Sequence, residues 1–220
     1  RRRLGRARAL RRGRPRLDAS DGRDDIKRAA LVEFANHGFK GASVDQIAER
    51  AAVAKRLIHY HFGSQDALWQ QAVADAYEEF REEALEFVLR LGQQAPEDAL
   101  DSFATQMVWF AADRVALIQI SIDETRQGGA RSAWLKSTYL VPLQRIMIEQ
   151  AGVLLGQRAD AKAVASHLIP SMFGAVAFPF IDADVTSEAH GVDVFSEDYI
   201  GGHAEFIKTL LRASLALPAP

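Results

Sequence analysis

Along most of this chain apolar residues recur every three to four positions, and strict alternation is nowhere sustained. The pattern predicts helices throughout. From Asp24, Ile26, Ala30 and Phe34, with Ala29 and Leu31 nearby, share one side of a helix that ends at His37-Gly38. Glycine just past a helix end takes the left-handed conformation most cheaply. Ser43-Val44-Asp45-Gln46 then places a hydroxyl at the N-cap and Gln at the third helical position, a capping box, and predicts a short helix to about Ala51. Ala51-Ala52-Val53 forms a tight connection to a second short helix over 54–61, which Phe62-Gly63-Ser64 breaks. Ser64 caps a long helix from Gln65 to about Leu91, closed by Gly92. Further helices are predicted over 97–111, 114–127, 131–155 (kinked or broken at Pro142), 161–178 (disturbed by Pro170) and from about Ser196 to Leu215, with a polar loop over 182–195. The expected fold is all-α.

Composition narrows the function. The chain has 220 residues and no cysteine, so disulfides, thiolate catalysis and Cys-ligated zinc are excluded. The apolar run over 168–181 is shorter than a bilayer span and holds Pro170 and Pro179, so no membrane association is expected. The arginine-rich start has no apolar segment behind it and does not read as a signal peptide, so a cytoplasmic, nucleoid-associated location is expected.

The net charge of −2 hides an asymmetry. Residues 1–16 hold nine arginines and no acid; residues 17–65 hold seven bases and seven acids; residues 66–220 hold 11 bases and 22 acids. A basic arm ahead of an acidic body suits a protein that meets a polyanion at one end. Residues 1–20 are expected to be a disordered arm when free.

The two short amphipathic helices with a three-residue turn between them form a helix-turn-helix. In the second, Ile58 and Phe62 are expected to face the core, and Lys55, Arg56, Leu57, His59 and His61 to face outward. Such a surface suits a major groove: Arg pairs with guanine, Leu touches a thymine methyl, and Lys and His hold phosphates. His59 and His61 are two apart and diverge around the helix, which argues against a metal pair; no metal and no cofactor are expected.

The block over 24–69, notably His37-Gly38-Phe39, Ser43-Val44-Asp45-Gln46-Ile47-Ala48 and Val53-Ala54-Lys55 through Phe62-Gly63-Ser64-Gln65-Asp66-Ala67-Leu68, resembles the DNA-binding domain of the tetracycline-repressor (TetR) family. The resemblance implies a three-helix DNA-binding domain over 21–68 and a helical ligand-binding and dimerisation domain over 69–220. It implies a homodimeric repressor on a pseudo-palindromic operator, released by a small apolar or aromatic effector, and not an enzyme. It assigns Ser43 to a phosphate through its hydroxyl or N–H, Lys55, His59 and His61 to the DNA backbone, and Arg56 and Leu57 to bases. The chain departs from the family pattern at Ala52, where Gly is common, at Ala54, where Ser is common, and at Gln65, where a phosphate-binding Lys is common. Arg12-Gly13-Arg14-Pro15-Arg16 resembles an AT-hook, so Arg12, Arg14 and Arg16 are expected in a narrow minor groove.

In the acidic body, Trp109, Phe110, Tyr139 and Phe173 are candidate walls of an effector pocket, with Glu124, Arg126 and His167 as its polar handles. The apolar helix over 161–178 and the last helix are expected to form the dimer interface, with Val176 and Leu210 as positions to test it. Two rival readings are an architectural binder of AT-rich DNA through the arm, and an enzyme with an appended DNA-binding domain. No nucleophile–base pair or phosphate loop supports the second.

Overall fold

The computed structural model describes residues 22–154 and 161–216; Arg12, Arg14 and Arg16 lie outside the described residues. Every regular element described is helical: α1 (Arg23–Gly41), α2 (Val44–Ala51), α3 (Lys55–Phe62), α4 (Gln65–Leu91), α5 (Pro96–Asp113), α6 (Val115–Gln127), α7 (Gly129–Leu135), α8 (Val141–Leu154), α9 (Ala161–Ile181), α10 (Ala183–His190) and α11 (Glu197–Ala216). A π turn, Lys136–Leu140, joins α7 to α8. The chain forms two compact units. The N-terminal unit holds residues 22–86 and 116–135; the C-terminal unit holds the described residues of 87–115 and 136–216.

In the N-terminal unit α1 packs on α2 and α3. Ile26, Phe34, Ile47, Ile58 and Phe62 are buried there, each worth about 1.5–3 kcal/mol by removal from water. The caps behave as their residues dictate. Gly38 (φ 65°, ψ 172°) interrupts α1 where the sequence places its end. Ser43 Oγ accepts from Gln46 N at 3.4 Å, and Ser64 Oγ from Ala67 N at 3.1 Å. Lys27 of α1 pairs with Asp24 at 2.8 Å and with Asp75 of α4. The Lys27 hydrogen bond holds the Asp24 carboxyl below its ordinary pKa.

In the C-terminal unit α11 packs on α5 and α9, and α9 on α5 and α8. The prolines shape this unit. Pro142 has no N–H for the carbonyl four residues earlier, and its ring crowds that turn; the five-residue π turn lies just before it. Pro179 likewise leaves Ala175 O without its helical donor, and His203 Nε2 of α11 lies 3.1 Å from that oxygen and 3.3 Å from Val176 O. The proton therefore sits on Nε2, which donates to the orphaned carbonyl. His203 stacks on Tyr199 and meets Phe180 edge-on. Burial lowers its pKa below the usual 6.5, against the opposing pull of the two carbonyls.

Two expectations are corrected here. Helix α9 runs through both prolines to Ile181, so Ala163–Ile181 is long and apolar enough by length and composition to cross a membrane. It packs instead against α5, α8 and α11. Within the segment expected to be a polar loop, Ala183–His190 is a helix, ended by Gly191 in the left-handed region (φ 66°).

Candidate nucleic-acid interface

Helix α3 presents its polar face outward because Ile58 and Phe62, four residues apart, are drawn into the core. Lys55, Arg56, His59 and Tyr60 are exposed, and Leu57 and His61 are half-buried. Tyr60, 82% exposed, is the residue the sequence reading passed over. Its signal was available: it lies on the same polar face, between two histidines, and a phenol there gains nothing from the core. Its ring packs against His61, with centroids 5.1 Å apart.

The remaining DNA-facing candidates are more constrained. Lys55 Nζ is 2.9 Å from Asp45 Oδ1, so the cation is held over α2 before any phosphate arrives. Leu57 is partly covered: a side chain at Gly22 would meet its Cδ2 and Val53 Cγ1 at 3.5 Å. Ser43 N–H donates to Glu33 Oε1 at 3.2 Å, which closes the backbone route to a phosphate and leaves the hydroxyl proton. Helix α3 starts at Ala54, which supplies no side-chain cap. The turn before it holds Ala52 at φ 56°, the one left-handed non-glycine among the described residues.

Three side chains hold this surface in place. Glu33 is buried on the apolar face of α1, and Nδ1 of the half-exposed His37 lies 3.4 Å from it. An acid in phase with Ile26, Ala29, Ala30 and Phe34 was the sequence signal for it. Gln65 Nε2 donates to Phe39 O at 2.7 Å and reaches Ala42 O at 3.5 Å, tying the end of α1 to the start of α4. Arg131 of α7 does most. Its guanidinium carbon lies 3.5 Å from the Phe39 ring centroid and 5.8 Å from that of Trp69. Nη1 donates to Asp66 Oδ1 at 3.0 Å and Nε to the buried Glu124 Oε1 at 3.1 Å. The planar fork spans two carboxylates and two rings, which Lys could not do.

The effector candidates are divided between the two units. Glu124 and Arg126 belong to the N-terminal unit, and the other five to the C-terminal unit. Glu124 is committed to Arg131, and Arg126 is exposed, 3.8 Å from Asp123. Phe110 is buried against Phe87, with Arg114 over its ring at 4.9 Å. Trp109 and Tyr139 are half-buried; His167 and Phe173 are exposed.

Residues 26–72 match the family model described as bacterial regulatory proteins, tetR family. The match covers the helix-turn-helix segment, so that part of the chain is similar to the DNA-binding segment of the TetR family. It is 37% identical over 78 residues to the HTH-type transcriptional repressor NicS of Pseudomonas putida, a match covering 36% of each chain. It therefore spans about a third of the length of that curated relative. The fold is similar to the TetR-like transcriptional regulator from Rhodococcus sp. RHA1 (TM-score 0.59, 21% identity, 92% of this chain and 100% of that one). It is similar also to HlyIIR, a hemolysin II transcriptional regulator (TM-score 0.56, 20% identity, 84% and 96%). Gln65, where Lys is common in the TetR pattern, clamps the end of α1 to the start of α4.

Proposed function

We propose that this chain is a homodimeric, ligand-responsive transcriptional regulator that represses from a pseudo-palindromic operator. The observation that carries the reading is the exposed face of α3, with Lys55, Arg56, His59 and Tyr60 outward on a helix-turn-helix that matches the TetR family model. Residues 21–68 read the operator; residues 69–220 dimerise and take the effector. Arg56 and Leu57 read bases, and Lys55, His59, His61 and the Ser43 hydroxyl hold the backbone.

The dimer surface is placed on α9 and α11, where Phe173, Phe178 and Phe206 are 49%, 59% and 58% exposed. Paired aromatic side chains in a two-fold interface would remove this apolar area from water. Val176 is buried within the monomer and would report on folding, not on dimerisation. Arg12, Arg14 and Arg16 take an AT-rich minor groove beside the operator.

The test is selection from random duplex DNA followed by gel shift. An inverted repeat with half-sites about 34–36 Å apart supports the reading. Enrichment of AT-rich sequence without a repeat would favour an architectural binder acting through the arm.

A further inference from the structure

Two helices far from the reading helix in sequence share its unit. Residues 116–135, most of α6 and all of α7, belong with 22–86. They meet the stretch that leads α1 into α2. A side chain at Gly38 would find Gln127 Nε2, at the end of α6, 4.0 Å away. At the next residue, the Phe39 ring stacks on buried Phe34, with centroids 5.9 Å apart, and carries the Arg131 guanidinium of α7 over it. Gln65 fixes the Phe39 carbonyl, and Glu33 fixes the Ser43 amide at the cap of α2. Helix α2 in turn packs on α3. Arg131 is itself held from behind. Buried Glu124 accepts from its Nε through one oxygen, and the other oxygen is shut off from solvent with no donor. A guanidinium that swung away would leave that charge buried and uncompensated. Trp134 of the same helix meets Trp69 of α4 edge-on at 5.7 Å.

We propose that Arg131 is a positioning residue for sequence selectivity: through Phe39 it sets the angle at which α2 and α3 meet DNA, without touching DNA itself. It lies outside residues 26–72, the segment that matches the family model. Base and phosphate contacts differ in what they tolerate. Lys55 reaches a phosphate through a flexible stem, whereas a bidentate Arg56–guanine pair forms only in a narrow geometry. A reading helix whose support is loosened therefore loses base discrimination before it loses attraction to the polyanion. The planar fork matters because it holds Phe39 and Asp66 of the reading segment against Glu124 at once. That α3 reads bases rests on the regulatory reading above; that α7 braces the link from α1 to α2 does not.

The experiment is fluorescence anisotropy of the full chain over a salt series, well below each variant's melting temperature. The two probes are the duplex that wild type selects from random sequence and a scrambled duplex of the same length. Arg131→Lys keeps a cation but not the fork, and Phe39→Leu keeps an apolar side chain but not the ring face. Each should weaken binding of the selected duplex about tenfold or more, with the scrambled duplex changed by less than about twofold. The double variant should fall little further, because both changes break one contact. Two results would overturn the proposal. Equal losses on both duplexes, with a salt slope shallower by about 0.9, would make Arg131 a phosphate ligand. Unchanged selectivity in both variants would leave it a stabilising residue only. The same data separate this inference from the regulatory reading. If wild type selects an inverted repeat that the variants bind as tightly, the positioning role falls alone. If wild type prefers a sequence without a repeat and the variants lose that preference, the positioning role stands and the two-fold operator falls. A wild type with no preference at all overturns both.

Discussion

The two compact units finish their surfaces differently. In the N-terminal unit several long-range contacts are charge-assisted: Arg131 with Glu124 and Asp66, Glu33 with the Ser43 amide, Lys27 with Asp75. Its most exposed large apolar side chain is Tyr60, on the reading helix. In the C-terminal unit contacts are mainly apolar and aromatic, and Phe173, Phe178 and Phe206 are left outside. Directional contacts fix the angle at which a small helix is held; exposed apolar faces leave area that the second copy proposed above would cover.

The contrast breaks most sharply if the second unit is denied that partner. Phe173→Asp with Phe178→Asp should give monomers at micromolar concentration by analytical ultracentrifugation. Operator affinity should fall about 100-fold or more, as two linked half-site contacts become two separate ones. Because both side chains are exposed in the monomer, the melting temperature should fall only by what association contributes, a gap that widens with protein concentration. A wild-type chain that is monomeric at that concentration would sink this idea.

The first unit breaks at Arg131. Arg131→Ala leaves Glu124 buried without its cation, and should cost about 3–5 kcal/mol in denaturant unfolding. Adding Glu124→Gln should recover part of that loss. A cost under about 1 kcal/mol, the worth of a surface pair, would show that the carboxylate finds water.

On the reading surface, Arg56→Ala should cost roughly 1–3 kcal/mol of operator binding and relax preference at one base position. Lys55→Ala should weaken all sequences alike. Identical base-substitution profiles for Arg56→Ala and wild type would remove Arg56 from base reading.

In the second unit, His203→Phe keeps the aromatic packing but strands Ala175 O, at a cost of about 1–3 kcal/mol. The wild type should also lose stability as pH falls below 6.5. The folded His203 resists protonation and the unfolded one accepts it, so acid favours the unfolded chain. The loss levels off below the folded pKa, and the variant should lack this component. A pH profile shared by both proteins would exclude His203 as its source.

The smallest effect compares neighbours. Helix α2 begins at Ser43 and is capped; α3 begins at Ala54 and is not. Ala54→Ser should add about 1 kcal/mol to stability, read as a raised melting temperature. No rise would mean the added hydroxyl prefers water to the helix.

What could be read in the sequence was local. Ser43, Ser64 and Gly38 mark helix ends through groups within four residues of themselves, and each functions where it was placed. The outward face of α3 follows from the spacing of Ile58 and Phe62. The support behind that face was not legible. Arg131 meets Asp66 across 65 residues, and no periodicity reports such a pairing. Helix α10 buries no residue, so the apolar signal that marks other helices is missing from it. Phe173 is a candidate pocket wall by hydropathy, and its 49% exposure is something no hydropathy pattern reports.

Ala52 has a consequence for how this chain can change over generations. Every alanine codon is one base away from a glycine codon. The left-handed turn between α2 and α3 already has the backbone shape that glycine takes without strain, and Ala52 is exposed, so no packed neighbour depends on its methyl group. A stabilising change is thus a single nucleotide away, at a position that reads no base. Such a step could offset the cost of a later substitution on α3 that alters which operator is read, leaving the lineage free to explore new sites without first losing its fold.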